Sequence, residues 1–423
     1  MERRCTTPLL AALALGLVAA GTARAADLFV STHGVDGGND CASSTTPCAT
    51  LSHALAHASS GDTIKVASGK YRDNMRMETS TTLSFLGGWD DSFTTRDPLG
   101  APSVLQAGHV HLTNYRGHER VWTIFAWDAV TIHVTIDGFV LKNGRAGTSA
   151  LPDPKNLVGG ARAGGGLTAV AFGNSSVELR LANSVVTHNR DEYGGAGVSL
   201  WALNNSMLDA TLDTVRVVRN KADQGAGGGL LVFAAPYVGW PSTLTFRLLN
   251  SVVADNVTQG GGGGLLISNY ANTSSSIDAT IASSTITRNV VKNAASCPSG
   301  CNRLGGGGIY TIATAGPVHI ALTDTILYDN RLIGAGDGRD FLENTLTPPV
   351  PSLLTVDSDH DDIGDVALRG IGPVWNDLGG NLSADPRLSR HYELGAGSPA
   401  VDAGTCSGAP PTDFQGDPRP SGA

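Results

Sequence analysis

Between residues 120 and 340 no stretch repeats its apolar residues at helical spacing, so a helical bundle is excluded for the middle of the chain. After the first 25 residues no apolar run is long enough to cross a bilayer as a helix. Positive charge is also in deficit. Removing residues 1–25 takes away three arginines and one glutamate, leaving 26 basic against 37 acidic residues. A surface with a net charge of −11 argues against nucleic acid and anionic lipid as partners. Cysteine is sparse, six in 423 residues, and Cys5 lies within the first 25. Cys41 and Cys48 flank ASSTTP, Cys297 and Cys301 flank PSG, and Cys406 is left over. Two short-range disulfides are the expectation if the chain is exported. A zinc site at CPSGC would need a second ligand pair, and none is near.

Export is itself expected. Arg3 and Arg4 precede the apolar run PLLAALALGLVAA, and ARA precedes Ala26, the pattern of a signal peptide cleaved after Ala25.

Glycine and asparagine are abundant, and they recur. NSVVTHN leads to GGAGV, TVRVVRN to GAGGGL, NSVVADN to GGGGGL, and SSTITRN to GGGGI. Asn143, Asn189, Asn220, Asn256, Asn289 and Asn330 are separated by 46, 31, 36, 33 and 41 residues. That interval is the mark of a repeat architecture. The segments after each glycine run are short and alternate with period two, as strands do. No Trp-Asp or Gly-His pair, the signature of a propeller, accompanies the repeats between 143 and 330. Short strands separated by Gly/Asn turns predict a right-handed parallel β-helix of about nine to eleven coils. The glycines then serve turns with positive φ and close coil stacking. The asparagines form a ladder of stacked amides. The run GGGGG has no following helix or lysine, so a phosphate loop is set aside.

ATLSHALAHA, with Leu51, Leu55 and Ala58 on one side, predicts a short helix covering the open N-terminal end. The expected organisation is a signal peptide (1–25), a cap and first coil (26–72), β-helix repeats (73–345), and last coils with a C-terminal module (346–423). The segments PCATLSHALAHASSGDTIKVASGKY, LGGWDDSFTTRDP and VTIDGFVLKNGRA resemble the opening coils of secreted bacterial β-helix proteins of the pectate-lyase-like fold. GNLSADPRL, GSPAVDAG and DFQGDPRPSGA resemble the terminal module called choice-of-anchor Q. The resemblance implies fold and export. Such modules usually continue past DPRPSGA, so a truncated or released chain is an expectation here.

Enzymes of that fold act on polysaccharides, but their constellations are missing. Asp-Asp pairs occur at Asp90–Asp91 and Asp361–Asp362 without a Gly-His-Gly or an Arg-x-Lys. Weaker features remain. The residues before the repeated asparagines are Lys142, His188, Arg219, Asp255, Arg288 and Asp329. Stacked, they predict a ladder of ion pairs. A lyase site would instead use Arg219 or Arg288 as base, with Asp255 or Asp329 on calcium. Asp357, Asp359, Asp361 and Asp365 have the spacing of a calcium loop, with Asp362 where glycine is usual. His53 and His57, four apart on the cap helix, and GHVHL at 108–112 are weak metal candidates. From each asparagine to the last following glycine the turns measure 23, 8, 9, 8 and 19 residues, which would raise two walls around three low turns. Trp201, Phe233, Tyr270 and Tyr310 fall on the outward slots between them. That strip either binds a polysaccharide or surface glycan, or is buried by packing. The function expected is a non-catalytic, glycan- or surface-binding protein. A polysaccharide lyase or hydrolase and a structural spacer are the alternatives.

Overall fold

The computed structural model describes residues 25–107, 120–146, 164–192, 194–235, 240–269, 275–292, 305–314, 316–334, 336–344, 351–405 and 409–419. Strands dominate, and every strand–strand ladder in the described residues is parallel. One helix is present among the described residues, Leu51–His57. The chain winds as a parallel β-helix; crossovers between parallel strands are right-handed as a rule.

Each full coil contributes to three faces. The longest face stacks eleven strands, from Asp27–Val30 through Ser176–Thr187 and Ser276–Ala282 to Val374–Gly379. A second face continues it around a corner and includes Phe139–Lys142, Val252–Ala254 and Ile326–Tyr328. The glycine runs lead into a nine-stranded sheet that includes Val198–Leu203, Leu265–Asn269 and Ile309–Ala313. A narrow five-stranded ladder from Arg190–Asp191 to Arg331–Ile333 bridges the second face to that sheet.

The register aligns like with like. On the long face Leu28, Ile64, Phe85, Ile136, Leu181, Leu212, Leu248, Ile281 and Leu322 form one inward row, all buried. At a coil spacing of about 4.8 Å, each apolar side chain sits on the one before it. A one-residue slip would turn the whole row outward, so burial fixes the register.

Two lines of left-handed residues make the corners. Asn183, Thr214, Asn250, Ser283, Asp324 and His360 lie along one, with φ between 46° and 58°. Asn143, His188, Arg219, Asp255, Arg288 and Asp329 lie along the other, with φ between 55° and 60°. From His188 onward, the residue after each second-corner position is a rung of the asparagine ladder. Asn189 Nδ2 donates to Asn220 Oδ1, Asn220 to Asn256, Asn256 to Asn289, and Asn289 to Asn330, each at 3.0 Å. Asn330 donates to Asp340 Oδ1 at 2.8 Å, where the series stops. Asn143 is a correction. Lys142 pairs with Thr187, so Asn143 occupies the corner slot of His188, and Gly144 stands where the rung would be. Gly144 N–H donates to Asn189 Oδ1 at 2.8 Å.

A second ladder follows the first corner. Phe139 N–H donates to Ser184 Oγ, Val215 N–H to Ser251 Oγ, Ser251 N–H to Ser284 Oγ and Thr325 N–H to Asp361 Oδ1, at 2.8–3.1 Å.

Two positions show why glycine is needed. Gly262 has φ +69°, a turn that a side chain would strain. A Cβ on Gly264 would lie 2.8 Å from the Gly308 carbonyl oxygen and 2.9 Å from Asn289 Nδ2. The glycine run therefore gives both a left-handed turn and the close approach of successive coils.

At the N-terminal end the helix is capped by Thr50, whose Oγ1 accepts from His53 N–H at 3.2 Å. Leu51 and Ala54 are buried against the first coils. Cys41–Cys48 forms a disulfide beside it. Cys297, Cys301, Cys406, Tyr270, GHVHL (108–112) and all but the last residue of the expected signal peptide (1–25) lie outside the described residues.

Candidate functional site

The long face presents its outward slots to solvent. In Ser276–Ala282 the inward Ile277, Ala279 and Ile281 alternate with outward Asp278 and Thr280. Register extends each outward slot into a row. One row runs His133, Glu178, Asp209, Thr245, Asp278 and His319; the next runs Thr135, Arg180, Thr211, Arg247 and Thr280. Asp357 and its neighbour Asn376 continue that second row.

These side chains pair across strands. Arg180 meets Asp213 at 2.8 Å and Arg247 meets Asp209 at 2.5 Å. His133 Nδ1 is 3.7 Å from Glu178. His319 stands between two carboxylates, Nδ1 at 3.2 Å from Asp278 and Nε2 at 2.9 Å from Asp357. Asn376 Nδ2 donates to Asp357 Oδ1 at 2.7 Å. The hydrogen bond to Asp357 leads in raising the His319 pKa, and Asp278 adds to it. The Asn376 bond, then His319, holds the Asp357 carboxyl below its ordinary value. The imidazole is thus held towards its cationic form, with both ring N–H groups engaged.

The face is a flat lattice of alternating donors and acceptors at strand spacing. Chemistry of that kind suits a ligand rich in hydroxyls. It suits proton transfer less, because a general base needs a nitrogen free to accept.

The residues singled out in the sequence fall elsewhere. Arg219, Asp255, Arg288 and Asp329 occupy the second corner, and the ladder of ion pairs expected there does not form. Instead Asp255 and Arg288 meet the C-terminal segment, and Asp329 meets its own coil. Tyr392 Oη donates to Asp255 at 2.8 Å. Arg288 donates to the carbonyls of Leu388 and Ser389 at 3.1 and 2.6 Å and lies 5.4 Å from the Tyr392 ring centroid. Asp329 pairs with Arg331 at 3.2 Å. With Asp255 and Arg288 committed to the tail, the four do not make a lyase site. Tyr392 and Phe414 pack there on Val252, Ala254 and Val218.

Of the two readings of the aromatic strip, packing is the one seen at Trp201, Phe233 and Tyr310. Trp201 is 8% exposed and Tyr310 4%, and Phe233 is half-buried. Trp201 and Phe233 lie 4.5 Å apart between ring centroids. Trp201 Nε1 donates to Ser199, and Tyr310 Oη accepts from Asn344. They belong to an apolar layer on the outer side of the glycine-led sheet that includes Phe125, Phe172, Leu231 and Leu266.

The calcium set does not converge. Among the described residues, no three of Asp357, Asp359, Asp361 and Asp365 bring oxygens within 4.8 Å of one another. Asp357 holds His319, Asp359 holds His360, and Asp365 accepts from Arg339 N–H. Asp361 is a corner rung; its oxygens accept from Thr325 N–H, Asp359 N–H and the Ser358 hydroxyl. Asp357 and Asp359 share the outward side of their strand but stand two rises, about 6.6 Å, apart along it, and Asp361 is buried beyond its end, so the set does not wrap one ion. Among the described residues the one close group that includes cysteine is Cys41, Cys48 and His53, but both sulfurs are in the disulfide and His53 Nε2 lies 2.8 Å from the Asn39 carbonyl oxygen. His53 and His57 pack ring on ring, 4.6 Å apart.

His319, Asp278, Arg247 and Asp209 were not singled out by sequence reasoning. The only signal was their place on alternate slots of strands that follow the glycine runs. No family pattern matches the chain, and no curated protein sequence does. Among solved structures, the crystal structure of pectate lyase Pel9A is similar at 14% identity over 91% of this chain and 93% of that one, with a TM-score of 0.42. At that identity the likeness is one of chain path and says nothing of activity.

Proposed function

We propose that the protein is exported and holds a polysaccharide or surface glycan against the polar long face, without reacting with it. The observation that carries this reading is the exposed lattice of Asp209, Arg247, Asp278, His319 and Asp357, in which the charged groups are set against one another at strand spacing. Sugar hydroxyls both donate and accept, so such a lattice offers them partners in either sense. The C-terminal residues 380–419 would serve as the terminal module their sequence resembles.

A second reading, a lyase or hydrolase, is favoured by one observation, the imidazole flanked by two carboxylates. One experiment separates the two. Protein spanning 26–423 is passed over immobilised acidic and neutral polysaccharides, while unsaturated uronate absorbance and reducing ends are followed. Binding expects retention without either signal, weakened at least tenfold in an Arg247→Ala, His319→Ala double variant. Product formation that vanishes in His319→Ala would move the assignment to an enzyme. Retention unchanged in the double variant would remove this face from the function.

A further inference from the structure

In a chain whose carboxylates outnumber its cations, the N-terminal half of the second face is an exception. Tyr71, Leu105, Leu141, Val186 and Val217 point inward there and are buried, so the residues on either side of them point out. Register sets Lys70, Val104, Val140, Val185 and Arg216 in one outward row. Arg72, Gln106, Lys142, Thr187 and Val218 form the other. Arg219 follows at the second corner, and Arg145 lies just past that corner on the coil of Lys142. Lys70, Arg72, Arg145, Arg216 and Arg219 are exposed, and Lys142 is half-buried. Neither row contains a carboxylate.

These six cations differ from the others. Arg96, Arg180, Arg190 and Arg247 each lie against an aspartate. Among the described residues, none of the six has a hydrogen bond or ion pair through its side chain. Asp73, next to Arg72, accepts from Ser52 N–H at 2.7 Å and from Asn74 N–H at 2.9 Å instead. Six unpaired cations on five successive coils repel one another, and an anionic partner would relieve that repulsion.

The shape of the strip narrows the partner. Its rows stand about 6.6 Å apart, and Lys70 and Arg216 are four coil rises, about 19 Å, apart along the axis. That is room for one extended polymer chain. A single nucleic acid strand would use exposed aromatic rings to stack its bases, and neither row has one. A uronan bridged by calcium would need carboxylates on the strip. A uronan also bears one charge per sugar ring, and a ring is about as long as one coil rise. Six cations on five coils exceed that density, whereas sulfation can place more than one charge on a ring. Guanidinium and ammonium groups bind oxyanions through charge-assisted hydrogen bonds. Val104, Val140 and Val185 lie between the cations, where the apolar side of a sugar ring can rest. Gln106 and Thr187 offer partners to its hydroxyls.

We propose that this strip of the second face binds a linear sulfated polysaccharide, with Lys70, Arg72, Lys142 and Arg216 as its principal contacts. The site is separate from the long face and stands or falls independently of it.

Biolayer interferometry with protein spanning 26–423 on immobilised dextran sulfate tests the proposal. Unsulfated dextran, polygalacturonate with chelator and anionic phospholipid vesicles are the comparators. Dextran sulfate is expected to bind at least tenfold more tightly than any of them, without calcium, and to weaken as sodium chloride rises. Lys142→Gln with Arg216→Gln is expected to lose about tenfold of that affinity at an unchanged urea midpoint, since neither side chain has a partner to lose. Arg387→Gln with Arg390→Gln removes the same charge away from the strip and is expected to lose less than twofold. Should the first pair fail to fold, Arg216→Gln alone is expected to lose about threefold. No binding of dextran sulfate, a comparator bound as tightly, or equal losses in the two double variants would each overturn the proposal.

Discussion

Asn256 shows how much a single side chain carries in a stacked fold. Its Oδ1 accepts from Asn220 N–H and Nδ2, and its Nδ2 donates to Val217 O and Asn289 Oδ1. All of this is buried, so truncation leaves donors and acceptors on two neighbouring coils unpaired. Asn256→Ala is expected to cost about 3 kcal/mol in urea unfolding, since each unpaired buried group costs about 1–3. Asn143→Ala tests the corrected register. It removes no rung, and its expected cost is the strain of a left-handed alanine, about 1 kcal/mol. Gly264→Ala puts a methyl against backbone that cannot retreat and is expected to cost about 1–3 kcal/mol by the same measurement. The distinction between Asn143 and Asn189 was not legible in the sequence. Both precede a turn, and only the pairing of Lys142 with Thr187 shows that the first repeat is offset by one.

At the level of elements, the last coils gather buried carboxylates. Burial is the leading cause that raises the pKa of Asp324, Asp340, Asp361 and Asp362, with Asp361 pushed up to about 7. The folded state keeps protons on these groups that the unfolded chain releases near 3.8. Their contribution to stability is therefore full below about pH 3.8 and drains away as pH rises, through about 7 for Asp361. His319, whose pKa is also raised, acts in the same direction. The last coils are expected to exchange amide hydrogens more slowly at pH 5 than at pH 8, after correction for intrinsic rates, and Asp361→Asn should flatten that difference. The strands themselves were legible, because period-two alternation and glycine runs are local signals. The burial of Trp201 and Tyr310 was not, because alternation says which side of a strand faces out and nothing about whether that side is covered. The carboxylates around His319 were hidden for a related reason. Asp278 and Asp357 lie 41 and 38 residues away, and they meet it only through coil register.

Over the whole molecule, each coil touches mainly its neighbours, so stability is a sum along an axis and the two ends behave separately. The N-terminal end has its disulfide and capped helix, and the other end has the returning C-terminal segment. Reduction of Cys41–Cys48 is expected to remove about 2.5 kcal/mol by loop entropy. Hydrogen exchange should show faster opening around residues 27–72 and no change beyond residue 250. Loss of Tyr392 should do the reverse. Tyr392→Ala removes the Asp255 hydrogen bond and the ring beneath Arg288, and limited proteolysis is expected to reach residues 388–419 first. The repeat length announced a solenoid from the sequence alone. The return of the tail across the second face had no such announcement, because Tyr392 and Asp255 are 137 residues apart.

The asparagine ladder also has a direction. Each rung's Nδ2 donates one hydrogen to the next rung on the C-terminal side and another back to a backbone carbonyl, while its Oδ1 accepts only from the N-terminal side, so the amide-to-amide bonds all point one way along the axis. The column has a positive pole, and Asp340 sits on it. A carboxylate there neutralises the pole, as an acidic residue does at the start of a helix. Its other oxygen, Oδ2, accepts from Asp365 N–H at 2.9 Å on the next coil, so the amide series ends on a group that accepts from both sides. Polarity thus gives the ladder a chemical stop inside the solenoid. Replacing Asp340 with asparagine would either turn an amide N–H against the Asp365 N–H or withdraw the oxygen that Asn330 uses.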